Sequence, residues 1–472
     1  MKISLVSEHG SPLAALGGVD AGAQNVHVAA LATALADRGH SVTVFTRCDD
    51  DALPPVVFLR DGVTIVNIEA GPRAYVPRDA LLPFMPALGR GIAAYWGQHP
   101  EALPDIVHSH FWTSGIAARE ALDGSGLGRV PLVHTFHALG TVKRRHQGAL
   151  DTSPPERARL EPSVALDAAL LVATCNDEVR EIEAMGVDAA KTVVIPSGVD
   201  LRLFRPDCTP EDTQGRRRIV TVGRLVARKG IDLTISALAH LTRQGYDDVD
   251  LHIVGGSSAG SIGDDPEALR LKEVADELGL RERVILRGQV PRSAMPAIIR
   301  SAALVTYTPW YEPFGIVPLE AMACGVPVVA SKVGGVADSV VDGVTGLLVP
   351  PHAPNAIAKA AALLLDDPEL ASGLGANGVE RVRTRYSWGT VAGATEDAYR
   401  RLLDRVSMPP SAPQEIDDRR EYDRTERVRR RDRALSDEAV RVKLAARVEQ
   451  ARQRQMQMRE TGEDDRVRST RV

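Results

Sequence analysis

"VIPSGVDLRLFRPD" (Val194–Asp207) interrupts a repeating pattern and lets it begin again. Ahead of it, the aliphatic runs "KISLVS", "SVTVFT", "VTIVNI", "DIVHSH", "PLVHTF" and "ALLVATC" alternate with helical stretches such as "NVHVAALATALADRGH". Behind it, "RIVTVG", "DLHIVGG", "RVILRG", "ALVTYT" and "VPVVAS" do the same. Parallel strands need long crossovers, so strand–helix alternation predicts parallel sheets with helices on both faces. Two series split by a connector holding Pro196 and Gly198 predict two doubly wound α/β domains facing each other.

A chain of 472 residues can fill two cores, and with 44% hydrophobic but only 4% aromatic residues those cores must be aliphatic. A net charge of −5 gives no general attraction to nucleic acid or anionic lipid. The four cysteines (Cys48, Cys175, Cys208, Cys324) form no CxxC pair, which fits a reducing, cytoplasmic setting. "MKISLVS" is too poor in apolar residues for a signal peptide and reads as a first strand. No run of 18 apolar residues predicts a membrane span. "RDALLPFMPALGRGIAAYWGQ" (78–98) has helical spacing of large apolar residues: a helix packed on the first core, with a membrane-surface helix as the alternative. After "MPPSAPQ" the chain is dense in Arg, Asp and Glu and cannot bury enough surface to fold alone. It reads as a charged tail, either solvated or available to a protein partner.

Ligands of open α/β sheets bind beyond the carboxyl ends of the strands. Arg224 ends "RIVTVGR", and Lys229 directly precedes the helical "IDLTISALAHL". Two cations at one strand–helix turn suit a diphosphate, because the helix end adds free N–H groups and partial positive charge. "WYEPFGIVPLE" (Trp310–Glu320) carries Glu312 at the next strand end and Glu320 inside the following helix. Carboxylates accept hydrogen bonds from sugar hydroxyls. A ligand with a central diphosphate and a sugar at each end, a nucleotide sugar, satisfies both pairs.

With these residues in view, the second half resembles the retaining glycosyltransferases of family 4. Their signature is two glutamates separated by seven residues, here Glu312 and Glu320, preceded by an arginine and a lysine five apart, here Arg224 and Lys229. The resemblance covers about residues 1–406. It implies the GT-B architecture: a Rossmann-like acceptor domain over 1–196, a Rossmann-like nucleotide-sugar domain over 197–387, a final helix over 388–406 packing back on the first domain, and a tail over 407–472. It also implies that Arg224 and Lys229 hold the donor diphosphate and Glu320 the ribose. Glu312 then contacts the transferred sugar above the backbone of Phe314, Gly315 and Ile316, and Val290 lies beside the base.

"GGVDAGAQNVHV" resembles the glycine-rich loop of the branch containing sucrose-phosphate synthases and the inositol-phosphate glycosyltransferases. There Gly17, Gly18 and Gly22 are expected to close over the donor, while Ala23 stands where that branch often has glycine. In "PLVHTFHALGTVKRR", His137 matches the family histidine that faces the donor sugar, and His134 reads as structural. The lysine, tyrosine, threonine and arginine that hold the acceptor phosphate in the inositol-phosphate branch correspond to Arg78, Phe111, Ala138 and Arg157. The charges persist and two hydroxyls are gone. Lys143, His9 and Asn25 complete the expected acceptor wall, for a small-molecule or lipid-linked acceptor whose identity the sequence leaves open and for which an anion is one option. "DDD" at Asp49–Asp51 reads as a solvated loop, so no metal or other cofactor is expected.

Overall fold

The computed structural model describes residues 1–13, 22–256 and 262–407. Gly17, Gly18 and residues 408–472 of the tail lie outside the described residues.

Among the described residues the first sheet has eight strands, in the spatial order Val56–Arg60, Val63–Ile68, Ser41–Arg47, Lys2–Val6, Ile106–His110, Leu132–Thr135, Leu170–Ala173 and Thr192–Val194. All neighbours run parallel except the Val56–Arg60/Val63–Ile68 hairpin at the edge. That hairpin went unread because its outer strand is half solvated, with Phe58 81% exposed, so no clean alternation marks it. Its turn at Asp61–Gly62, with Gly62 at φ 79°, carries the Asp-Gly signal of such hairpins.

The second sheet is wholly parallel: Val284–Gly288, Val249–Val254, Arg217–Val222, Leu304–Tyr307, Val328–Ser331 and Leu347–Val349. In each sheet the domain's first strand sits between strands reached in opposite directions, which opens a crevice at their carboxyl ends. Both strand sets are buried on both faces by aliphatic side chains, such as Leu5 and Val44 in one domain and Ile253 and Leu304 in the other. Two doubly wound Rossmann-like domains facing across a cleft result.

Residues 78–98 begin as two short 3-10 turns, Arg78–Ala80 and Leu82–Phe84, and continue as the helix Met85–Gln98. Pro83 and Pro86 explain the broken start, since proline is tolerated only in a first turn. Met85, Leu88, Ile92 and Trp96 are buried, and the helix packs on Trp112–Gly124, so its apolar side is spent inside the domain. Among the described residues no helix is long and apolar enough to cross a membrane.

The chain passes between the domains twice. Val199 N–H donates to Tyr386 O at 2.8 Å, so the two passages are bonded side by side. The second leads into the helix Trp388–Ser407, whose Val391, Ala392, Tyr399 and Leu402 join the core of the first domain. Tyr399 Oη lies 2.6 Å from His108 Nδ1. Glu396 is held by Arg400 at 2.6 Å and by Arg38.

Candidate active site in the cleft

The donor end is built on two adjacent strands of the second sheet. Arg217–Val222 leads to the exposed Arg224, then a 3-10 turn over Ala227–Lys229 brings Lys229 beneath the helix Ile231–Arg243. Leu304–Tyr307 leads to the loop of Glu312. Lys229 Nζ stands 2.5 Å from Glu312 Oε2 and 2.8 Å from Tyr307 Oη, and the Tyr307 hydroxyl donates to the same carboxylate oxygen at 2.7 Å. Arg228 is 3.7 Å away. Burial alone would raise the Glu312 pKa, but Lys229, Arg228 and the hydrogen bonds from Lys229 and Tyr307 together hold it below the usual carboxylate range. Burial lowers the Lys229 pKa, with Glu312 opposing.

Glu320 belongs to the helix Ile316–Ala323 and is 3% exposed. Burial raises its pKa, and Arg292, 2.7 Å from Oε1, opposes that rise. Gly315 begins this helix at φ 80°, a conformation that favours glycine. Behind the loop, a Cβ on Gly334 would lie 2.1 Å from the Glu312 carbonyl oxygen, so only glycine lets the two backbones meet. Phe314 and Ile316 flank Gly315, and Arg224 shares a pocket of about 170 Å³ with Val290, Gly256 and Gln289.

Across the cleft, His110 ends its strand and His137 follows Leu132–Thr135. His137 has φ 60°, a strained value for a non-glycine residue. Its Nε2 is 3.0 Å from His110 Nδ1, and His27, bonded to Ser197 Oγ at 3.0 Å, completes a trio whose ring nitrogens lie within 4.8 Å of one another. Burial depresses all three pKa values, so these are neutral imidazoles, the form in which histidine ligates a metal. His134 is buried against Ser109 at 2.7 Å.

The remaining expected residues are gathered on the wall of the first domain, but their polar groups are engaged. Asn25 uses its amide on the start of its own helix, accepting from Gly22 N–H and donating to Ser11 O, each at 3.0 Å. His9 is 2.8 Å from Glu8 and meets the Phe111 ring edge-on. Arg157, 2% exposed, is paired with Glu161 at 2.8 Å and donates to Ala138 O at 2.7 Å. Lys143 lies 3.0 Å from both Asp79 and Asp151. Arg78 approaches Asp79 at 3.6 Å. In the "DDD" loop, Asp51 approaches Arg73 at 3.4 Å.

Sequence reasoning missed Glu8, Tyr307, Arg228 and Arg292. Glu8 stands at the end of the first strand, where the strand-end rule applied elsewhere would have found it; it is 1% exposed and bonded by Thr113 and Ser114. Tyr307 is the last residue of its strand, where the same rule applied, while Arg292 comes from a turn remote in sequence from Glu320 and left no local signal.

Two Rossmann-like domains with cations and carboxylates converging at facing strand ends define an enzyme of GT-B architecture. Residues 210–381 match the family described as Glycosyl transferases group 1, and 24–203 match Glycosyltransferase Family 4. The D-inositol 3-phosphate glycosyltransferase of Kineococcus radiotolerans is 37% identical over 87% of this chain and 98% of its own length. That of Kribbella flavida is 36% identical over 86% and 97%. Among solved structures, a sucrose-phosphate synthase from Thermosynechococcus elongatus superposes with a TM-score of 0.75 at 32% identity, covering 85% of this chain and 99% of that one. The chain belongs to glycosyltransferase family 4, and it is a glycosyltransferase.

Proposed function

We propose that the enzyme transfers a hexosyl group from a nucleotide sugar, a UDP-sugar first, to a hydroxyl of a small acceptor, with retention of anomeric configuration and without a metal. The observation that carries this is the Lys229–Glu312–Tyr307 cluster one strand away from the Arg224–Val290 pocket. The diphosphate lies at Arg224 and Lys229, the ribose at Glu320, the base beside Val290, and the sugar between Glu312 and His137.

When the bond from the anomeric carbon to phosphate oxygen breaks, negative charge grows on the diphosphate. Fixed cations stabilise it, Lys229 from within its cluster with Glu312 and Tyr307 and Arg224 from the open side of the cleft. The acceptor oxygen bonds to the same face of that carbon, and its proton passes to the departing phosphate oxygen, so no separate protein base is needed. His137 orients the sugar as a neutral imidazole.

The test is a thermal-shift panel of UDP-, GDP- and ADP-sugars, since a ligand bound only by the folded state raises apparent stability. Proton NMR of the product then gives its anomeric configuration. A UDP-sugar should give the largest shift and a product of unchanged configuration. No shift with any nucleotide sugar, or an inverted product, would overturn the reading.

A further inference from the structure

A second pocket of about 270 Å³ opens beside Glu312, between the two domains. Its walls include Asp177, Glu178, Glu181 and Glu312, and Arg145 is the cation among them. That arginine is already bidentate on Glu181, at 2.6 and 2.9 Å. His146, stacked on Tyr311 with ring centres 4.5 Å apart, is held below its usual pKa by burial and by Arg145. Two polar groups here lack partners among the described residues. Glu178 is 6% exposed; its Oε2 accepts from Thr174 N–H and hydroxyl at 2.6 and 2.7 Å, while Oε1 accepts from nothing. The indole Nε1 of Trp310 is likewise unpaired. Buried polar groups are costly when unsatisfied, so two such orphans beside one pocket point to a ligand whose hydroxyls pair with them.

The neighbouring wall offers an anion little. Each cation there faces a carboxylate: Arg157 has Glu161, Lys143 has Asp79 and Asp151, and Arg78 has Asp79. The Phe111 ring lies against both arginines, its centre 5.3 Å from the Arg78 guanidinium carbon and 5.1 Å from that of Arg157. A phosphate would have to break these pairs and find no hydroxyl at Phe111 or Ala138 to help it.

We infer that the acceptor is an uncharged sugar or polyol, seated in the pocket of Glu178, Trp310 and Tyr311 beside Glu312, and that phosphorylated acceptors are disfavoured. Carboxylates and an aromatic plane are the chemistry that recognises neutral hydroxylated rings, and Arg145, the cation lining this pocket, is already spent on Glu181, which leaves it little to offer a phosphate. This rests on the transferase reading above, and deepens it by naming the acceptor class.

The experiment offers the enzyme and its best nucleotide sugar matched acceptors: myo-inositol against inositol 3-phosphate, and glucose against glucose 6-phosphate. A filtered metabolite extract is tested with and without prior phosphatase treatment, and products are read by mass spectrometry. We expect a neutral acceptor to be used with kcat/KM at least tenfold above its phosphorylated partner, and the product from extract to survive phosphatase. A phosphorylated acceptor preferred, a product lost on phosphatase treatment, or no product from any neutral compound while the donor still binds would each overturn the inference. Failure of every nucleotide sugar to bind would instead sink the transferase reading. Trp310→Phe removes only the indole N–H donor and some ring area; it should raise the acceptor KM about fivefold at unchanged donor KM. A rise in the donor KM alone would assign that group to the donor and defeat the inference.

Discussion

The ammonium of Lys229 is stored on Glu312: its Nζ lies 2.5 Å from Oε2, inside a cluster completed by Tyr307. A diphosphate arriving at Lys229 must therefore share that cation with the carboxylate meant for the sugar. Glu312→Ala should separate the two roles. Transfer should fall by about 100-fold or more, on the scale of losing one preorganised charge partner, while affinity for UDP is kept or tightened because Lys229 is released. Calorimetric titration beside a transfer assay checks it, and equal loss of both would contradict the assignment.

Arg224→Ala should weaken UDP binding about tenfold and lower kcat/KM by about 100-fold, the range expected of one electrostatic contact to a developing anion. Uridine, which lacks phosphates, should bind the variant and the parent alike. Equal weakening of uridine would mean that Arg224 serves the base rather than the diphosphate.

Arg292→Ala leaves Glu320 buried with its counter-ion gone. We expect a loss of about 1–3 kcal/mol in folding stability and a raised donor KM. Adding Glu320→Gln should restore much of the stability but not the donor KM. Denaturant unfolding and initial rates read the two effects apart.

Six of the described histidines titrate far below their ordinary range, with burial the largest cause: His27 and His252 at about 4, His134 at about 3, and His108, His110 and His137 well down. A base with a depressed folded pKa takes up its proton in the unfolded chain first. Its stabilising effect is complete above the unfolded value of 6.5 and is lost as pH falls below it. Each contributes about 1.4 kcal/mol per pH unit in that window. Melting temperature should thus be flat from pH 8 to 7 and fall steeply from about 6.5 to 5, and His27→Phe should blunt the fall. A melting temperature unchanged down to pH 5 would contradict the buried neutral trio.

The two-domain plan was legible because strand–helix alternation repeats on either side of Val194–Asp207, and periodicity survives without any tertiary knowledge. That Lys229 and Glu312 come together was legible because both follow the ends of neighbouring strands, and strand ends in such folds face a crevice. The short strands Thr192–Val194 and Leu347–Val349 were not, since three residues carry no period. Nor could spacing reveal that Arg157 is consumed by Glu161, or that Asn25 is consumed by its own helix start. Residue type says what a side chain can bind; only packing says what it has already bound.

The helix Trp388–Ser407 completes a domain whose last strand had already ended at Val194. During synthesis the seat for Tyr399 on the first sheet must therefore wait, uncapped, until the whole second domain has been made. Cutting the chain at the domain boundary would not yield two independent halves: the first would lack its lid of Val391, Ala392 and Leu402, and the second would carry an orphaned amphipathic arm.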